Sequence, residues 1–297
     1  MIDLSKLTTE SRNPHTMNLD EMTPIEIARI MNREDETVIQ AIEEVLPQIA
    51  QAIEWAGESL KTGGRIIYVG AGTSGRLGVL DAVECPPTFG VPAQMVVGLI
   101  AGGENAFVQA VEGAEDSETL CGEELKSIGL SKEDIVIGLA ASGRTPYVIY
   151  GLRYARLAGC KTVAISCNRD SAIGKEADLA IEPVTGPEVL TGSTRLKAGT
   201  AQKMILNMIS TGSMIRIGKV YQNLMVDVRQ SNEKLVVRSQ NILMTATGCD
   251  RKEAKTVLEQ ADGHVKTAVI MILSECDAQE AREKLIIAGG NVRQALK

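Results

Sequence analysis

Thr73 and Ser74 stand between Gly72 and Gly75, just after the apolar run 66–69, and Ser142, Gly143, Arg144 and Thr145 repeat the same chemistry later in the chain. Glycines let a backbone turn tightly and approach a ligand, and the free N–H groups of a helix start attract an anion. Hydroxyls at such a start add donors for phosphate oxygens. The pattern is that of a phosphate cradle. Ser193 and Thr194 open a third hydroxyl-rich helix start, which could touch the same ligand or merely cap its helix. Arg76, Arg144, Arg195 and Lys197 lie beside these loops and could contact phosphate, although for any single one a solvated surface charge is the more ordinary reading. Arg144, between Ser142 and Thr145, is the best placed.

Two carboxylates need separate treatment. Glu84 would close the first helix ahead of Cys85-Pro86-Pro87, where the negative end of the helix dipole disfavours an ionised carboxylate. A general acid and an exposed helix-end charge fit that placement equally. Glu115, among Glu112, Asp116 and Glu118, reads from its neighbours as a member of an acidic surface run.

Alternating elements must position these residues. After a polar stretch over 1–20, read as an extended or loosely ordered arm, Thr23-Pro24-Ile25-Glu26 has the cap, proline and third-position glutamate of a helix start. Helical spacing then continues to Leu60 and stops at Gly63-Gly64. Strands are expected at 66–69, 94–100, 135–140 and 161–165, with a short fifth at 179–181. Helices are expected from the glycine loop to Glu84, over 105–111, 118–127 and 151–157, and as a long apolar helix over 201–217. Strands alternating with helices predict a parallel sheet covered on both faces, with ligands outside the carboxyl ends of its strands. The stretch 220–228 has no clear pattern. Residues 239–297 show three short helical patterns separated by Gly248, Gly263, Asp277 and Gly289-Gly290, a small helical bundle.

Gly70, Gly72 and Gly75 also satisfy the G-x-G-x-x-G dinucleotide fingerprint, which wants an acidic residue about 20 residues on to hold a ribose. None stands there before Glu104, and a pyrophosphate held by one helix has no use for the later hydroxyl loops. Loop chemistry therefore favours a phosphomonoester over a dinucleotide.

Composition narrows the class. The 297 residues are 44% hydrophobic and only 3% aromatic, enough for a sizeable, largely aliphatic core. A formal net charge of −7 argues against nucleic acid or an acidic membrane as partner. Six cysteines form no C-x-x-C pair, which suits reduced thiols, and two histidines give little material for a metal site or a Ser/His/Asp triad. The first ten residues lack the features of a signal peptide, and no run approaches the ~18 apolar residues of a membrane span, so a cytoplasmic protein is expected.

Several stretches, read together, closely resemble the N-acetylmuramic acid 6-phosphate etherase family: the block from Gly70 to Gly90, Leu-Ile-Ala-Gly-Gly-Glu, Val-Glu-Gly-Ala-Glu-Asp-Ser, Ala-Ala-Ser-Gly-Arg-Thr-Pro-Tyr-Val, and Thr-Gly-Ser-Thr-Arg-Leu-Lys-Ala-Gly-Thr-Ala-Gln-Lys. The resemblance runs through the helical tail, with one visible departure at Val83, where the family carries serine. It implies a sugar isomerase (SIS) domain, a flavodoxin-like α/β parallel sheet sandwiched by helices, in a homodimer. The expected division is N-terminal arm and helices over 1–53, a phosphosugar-binding SIS domain over 54–220 and a helical region over 221–297.

The resemblance further implies a lyase that removes D-lactate from C3 of the sugar in cell-wall sugar recycling, with no cofactor or metal. Its catalytic carboxylates map onto Glu84 and Glu115, and its phosphate loops onto 72–75 and 142–145. With the ring open, the C1 aldehyde acidifies the C2 proton. Glu115 is expected to take that proton, Glu84 to protonate the departing lactate oxygen, and water to add at C3. A non-catalytic phosphosugar sensor would need only the loops, and retention of both glutamates favours the enzyme. An aldose/ketose isomerase is disfavoured by the Glu-Cys-Pro-Pro block. If 74–84 is one helix, Glu84 lies about 15 Å along its axis from the phosphate loop. Either that helix breaks near Gly78 or Glu84 serves the site of a partner subunit.

Overall fold

Ile66, Ile67 and Val69, β-branched and flanked by glycines, form the middle of a parallel sheet. Its strands are β1 (Ile66–Gly70), β2 (Val96–Ile100), β3 (Ile135–Leu139), β4 (Lys161–Ile165) and β5 (Leu179–Ile181), in the order β2-β1-β3-β4-β5. All five lie where strands are expected, although β2 starts two residues later than the expected 94–100, after the 3₁₀ turn Ala93–Met95. The order is that of a flavodoxin-like sheet, whose switch point falls between β1 and β3. Gly70 pairs with both Ile100 and Leu139, so the carboxyl ends of the first three strands lie level and their loops emerge side by side. Every residue of β1 and β3 is buried, as a sheet covered on both faces requires.

This computed structural model describes residues 7–109, 111–228 and 233–297. They form two compact units, one running to Val83 and continuing over Gln94–Ser210, the other made of Glu84–Ala93 and Thr211–Lys297. Among the described residues no helix is long and apolar enough to cross a membrane.

Among the described residues, eight helices precede, alternate with or directly follow the sheet strands: α1 (Pro24–Glu43), α2 (Leu46–Lys61), α3 (Gly72–Phe89), α4 (Asn105–Val108), α5 (Leu120–Ser127), α6 (Pro146–Leu157), α7 (Ala172–Glu176) and α8 (Lys197–Arg216). In the first unit, Ile67, Val69, Val136 and Ala164 pack with Leu125 of α5, Val148 and Leu152 of α6 and Ile173 of α7. The alternate residues serve the other face. There α2 packs on β1, β3 and β5, and α3 comes close enough that a Cβ on Gly78 would lie 2.8 Å from Cβ of Tyr68. Gly78 is thus a point of close helix-to-strand approach and not a break.

Two expectations need correction. From Leu7 onward the polar arm forms three 3₁₀ turns, and the first two are pinned, by Thr8 N–H and Oγ1 donating to Asn168 Oδ1 at 2.9 and 2.8 Å and by Thr16 Oγ1 donating to the Val189 carbonyl at 2.9 Å. The first six residues of that arm lie outside the described residues, as does Ala110 in the helix expected over 105–111, which ends at Val108. The second correction concerns α3. It continues past Glu84 through Pro86 and Pro87 to Phe89. Prolines in a last turn remove only the N–H groups that would have met the Ala82 and Val83 carbonyls, and Gly90, at φ +64°, closes the helix by donating to the Pro86 carbonyl at 2.9 Å.

In the second unit, β6 (Val220–Tyr221) and β7 (Leu224–Met225) make the small antiparallel hairpin that the sequence leaves undefined. Five helices follow where three patterns are expected: α9 (Glu233–Thr247), α10 (Arg251–Gln260), α11 (Val265–Ser274), α12 (Ala278–Ile287) and α13 (Val292–Ala295). Asp250, Asp277 and Asn291 cap three of them with side-chain oxygens. Leu243, Leu258, Val269, Ile270 and Val292 fill the core between them.

Candidate active site

At the carboxyl end of β1, Gly70 and Gly75 touch. A Cβ on Gly75 would lie 2.6 Å from the Gly70 carbonyl oxygen, and one on Gly70 2.8 Å from Gly75 N, so only glycine permits the strand to turn directly into α3. Gly72 takes φ +52°, and Ser74 is buried, its Oγ donating to Gln202 Oε1 at 2.9 Å. Thr73 lies beside the start of α8, since a Cβ on Gly199 would be 3.6 Å from Thr73 Cγ2.

Beside this turn opens a cleft of about 170 Å³ lined by Gly72, Arg76, Ala101, Gly113 and Glu115, among others. Arg76 is held by its Nε donating to the Phe107 carbonyl at 2.8 Å. Gly113, at φ +77°, starts the 3₁₀ turn Ala114–Asp116 that carries Glu115. The structure therefore brings Glu115 together with Gly72 and Arg76, an association its acidic neighbours in sequence do not suggest. Glu84 is exposed on α3 and belongs to the second unit. One turn before it, Asp81 is held by Tyr68 OH at 2.8 Å and Ser210 Oγ at 3.0 Å. Burial pushes the Asp81 carboxyl up to about 6 against these two donors.

The second loop is built as tightly. Gly143 has φ +72°, and a Cβ there would stand 2.4 Å from Cβ of Ser171. Its carbonyl accepts from Ile173 N at 3.0 Å, and Asn168 Nδ2 donates to the Ala141 carbonyl at 3.2 Å and the Ser142 carbonyl at 3.4 Å. Arg144 N donates to Ser142 Oγ at 3.4 Å, and Thr145 is the N-cap of α6 with Pro146 at its first position.

The third helix start is occupied. Glu188, fully buried, accepts from Lys197 N at 2.9 Å and Ala198 N at 3.0 Å, filling the place an anion would take at the start of α8. Burial raises the Glu188 pKa against these bonds and the charge of Lys197. Lys197 is no phosphate contact either: it is 2% exposed and its Nζ lies 2.9 Å from Glu34 Oε2. Burial alone would raise the Glu34 pKa, but hydrogen bonds from Lys197, His15 and Asn13, with the lysine charge, hold it down at about 2. Arg195 is exposed. Sequence reasoning missed Asn168 and Gln202, polar side chains whose partners Thr8 and Ser74 lie far away along the chain, and Glu188, which caps a helix starting nine residues later.

A parallel 2-1-3-4-5 sheet with paired glycine and hydroxyl loops at its carboxyl ends defines a flavodoxin-like α/β protein with an anion-binding edge. Residues 38–156 match the glucokinase regulatory protein N-terminal SIS domain and residues 123–211 the SIS domain. Two solved structures share the fold. The phosphoheptose isomerase from Francisella tularensis is 16% identical, with a TM-score of 0.50, over 65% of this chain and 100% of that one. The phosphoheptose isomerase from Neisseria gonorrhoeae is 15% identical, also at 0.50, over 66% and 98%. At the level of sequence, the chain is 59% identical over 273 residues to the N-acetylmuramic acid 6-phosphate etherases of Salmonella agona (strain SL483) and Salmonella typhi, covering 92% of each chain. It belongs to the N-acetylmuramic acid 6-phosphate etherase family.

Proposed function

We propose that this chain is a lyase that cleaves the C3 D-lactyl ether of N-acetylmuramic acid 6-phosphate, giving D-lactate and N-acetylglucosamine 6-phosphate, in cell-wall amino-sugar recycling. What supports this most directly is that Glu115 lines one cleft with Gly72 and Arg76, a carboxylate base beside an anion cradle. The phosphate is bound by Gly72, Thr73, Ser74 and Gly75 with Ser142, Gly143, Arg144 and Thr145, all within residues 54–220. Residues 1–53 and 221–297 flank that domain as N-terminal and C-terminal helical regions.

With the sugar ring open, Glu115 removes the proton from C2, which the C1 aldehyde has acidified. The electron pair expels the lactate oxygen from C3 as Glu84 protonates it, and water then adds at C3 of the unsaturated aldehyde while C2 regains a proton. No metal or cofactor is needed, and the reaction is of the hydro-lyase type. Because α3 is unbroken, Glu84 stands about 15 Å along its axis from Ser74. We assign Glu84 to the site of a partner subunit in a homodimer. Six free cysteines, four of them buried, suit a reducing cytoplasm.

A phosphosugar-sensing regulatory protein is the second reading, favoured by the match of residues 38–156 to the glucokinase regulatory protein domain. Incubation with N-acetylmuramic acid 6-phosphate in oxygen-18 water separates the two. The lyase releases D-lactate and carries the label in the sugar product, after correction for exchange at C1. Binding without lactate release would establish the sensor and withdraw the roles of Glu84 and Glu115.

A further inference from the structure

The second unit holds a cavity of about 600 Å³ whose lining includes Lys219, Asp227, His264, Lys266 and Thr267. Its charges do not balance. Lys219 Nζ and Lys266 Nζ lie 3.0 and 2.6 Å from the same oxygen, Asp227 Oδ2, so two ammonium groups share one carboxylate. Asp262, the other acid in the lining, is paired with Arg282. Lys266 is only 9% exposed, and burial lowers its pKa against the pull of Asp227. Two ammonium groups on one carboxylate leave a net positive charge in the lining, which a further anion would balance.

The start of α11 meets the same cavity. Asp262 at φ +53° and Gly263 at φ +77° turn the chain into it, and His264, at the N-cap, makes no side-chain cap bond. The N–H groups of Val265, Lys266 and Thr267 precede the first helical bond, from Ala268 N to the His264 carbonyl at 3.0 Å, and so carry the orphan donors of a helix start. Thr267 is 2% exposed, lines the cavity and makes no side-chain hydrogen bond among the described residues. A purely structural ion pair would account for one lysine on Asp227. It leaves the second lysine and the unpartnered Thr267 hydroxyl on the cavity wall unexplained.

We propose that this cavity is a second anion site, taking a phosphate group on Lys219, Lys266, the Thr267 hydroxyl and the first N–H groups of α11. The donors outnumber the acceptors, which selects a multiply charged oxyanion, and the volume leaves room for the body of a small phosphomonoester. The site is independent of the cradle at the end of β1, since all its lining residues belong to the second unit.

Equilibrium dialysis of the full chain with radiolabelled inorganic phosphate tests it. Two bound phosphates per chain are expected. Thr267→Val, which keeps the side-chain shape, and Lys219→Met should each weaken one class about tenfold, the loss of a hydrogen bond to a charged group, and leave the other unchanged. Ser74→Ala should do the reverse. Displacement of the Thr267-sensitive phosphate by glucose 6-phosphate at lower concentration than by phosphate itself makes the occupant an organic ester. Weaker displacement makes it inorganic phosphate. A single class weakened by Ser74→Ala and untouched by Thr267→Val and Lys219→Met overturns the proposal, as does the absence of any bound phosphate. A single class weakened only by Thr267→Val and Lys219→Met sustains it and removes the cradle reading instead.

Discussion

Ser74 Oγ and Gln202 Oε1 lie 2.9 Å apart, both side chains buried, tying the glycine turn after β1 to the second turn of α8. Gln202 Nε2 has no partner among the described residues, and an unsatisfied buried donor costs about 1–3 kcal/mol, so this amide is not optimised for stability. Gln202→Leu removes the orphan donor and the tie together. Thermal stability should hold or rise slightly, while the KM for the phosphosugar rises several-fold because Ser74 is free to rotate, with kcat little changed. Steady-state kinetics beside a melting curve decide it, and a loss of stability at unchanged KM would make the bond merely structural.

Lys197 tests the opposite case. Its buried pairing with Glu34 means that Lys197→Met strands a carboxylate among His15 and Asn13, which should destabilise the protein by about 3–5 kcal/mol. At a temperature where the variant is still folded, KM should match the parent. A large rise in KM there would return Lys197 to the phosphate site.

Stability should depend on pH through Asp81. Its folded pKa of about 6 lies above the ordinary 3.8, so the folded state binds the proton more tightly, and stability rises as pH falls from above 6 towards 4, by up to about 3 kcal/mol. Glu34 acts in the other direction: held at about 2 against 4.5, it stabilises above pH 4.5 and its contribution is lost as pH falls towards 2. Urea unfolding between pH 8 and 5 should show a rise in the parent that is missing from Asp81→Asn. Equal slopes in the two proteins would exclude a buried, raised Asp81.

Two glycines of the loops should respond unequally. Gly72→Ala meets only the strain of φ +52°, with nothing within 4 Å of the new Cβ, roughly 1–2 kcal/mol. Gly143→Ala adds a 2.4 Å contact with Cβ of Ser171 to φ +72°, and should cost clearly more and raise KM together with it. Denaturant midpoints for the two variants give the comparison directly, and equal costs would mean that Ser171 yields easily.

The division of labour between the glutamates predicts distinct deuterium patterns. Glu84→Gln should still exchange C2–H with heavy water while releasing no lactate, and Glu115→Gln should lose both. If Glu84 acts across subunits, mixing Glu84→Gln protein with a Ser74→Ala, Arg144→Ala variant should restore activity in heterodimers. No recovery after confirmed subunit exchange would put Glu84 in its own chain's site.

The amino-acid sequence by itself determined the strands, the glycine turns and the capping of α1, because each depends on neighbours a few residues apart: β-branched runs, a Cβ-free turn, a Thr23-to-Glu26 capping box. It misjudged α3, whose end depends on Gly90 and not on the prolines before it. Only the tertiary structure decided which charged groups are free. Lys197 and Glu34 are 163 residues apart in sequence, and Gln202 is 128 from Ser74. Glu115 entering a cleft with Gly72 likewise follows from chain closure. Local periodicity fixes which face of an element is apolar, but a charged or polar side chain is committed to partner or to ligand only when distant segments close on it and water is expelled.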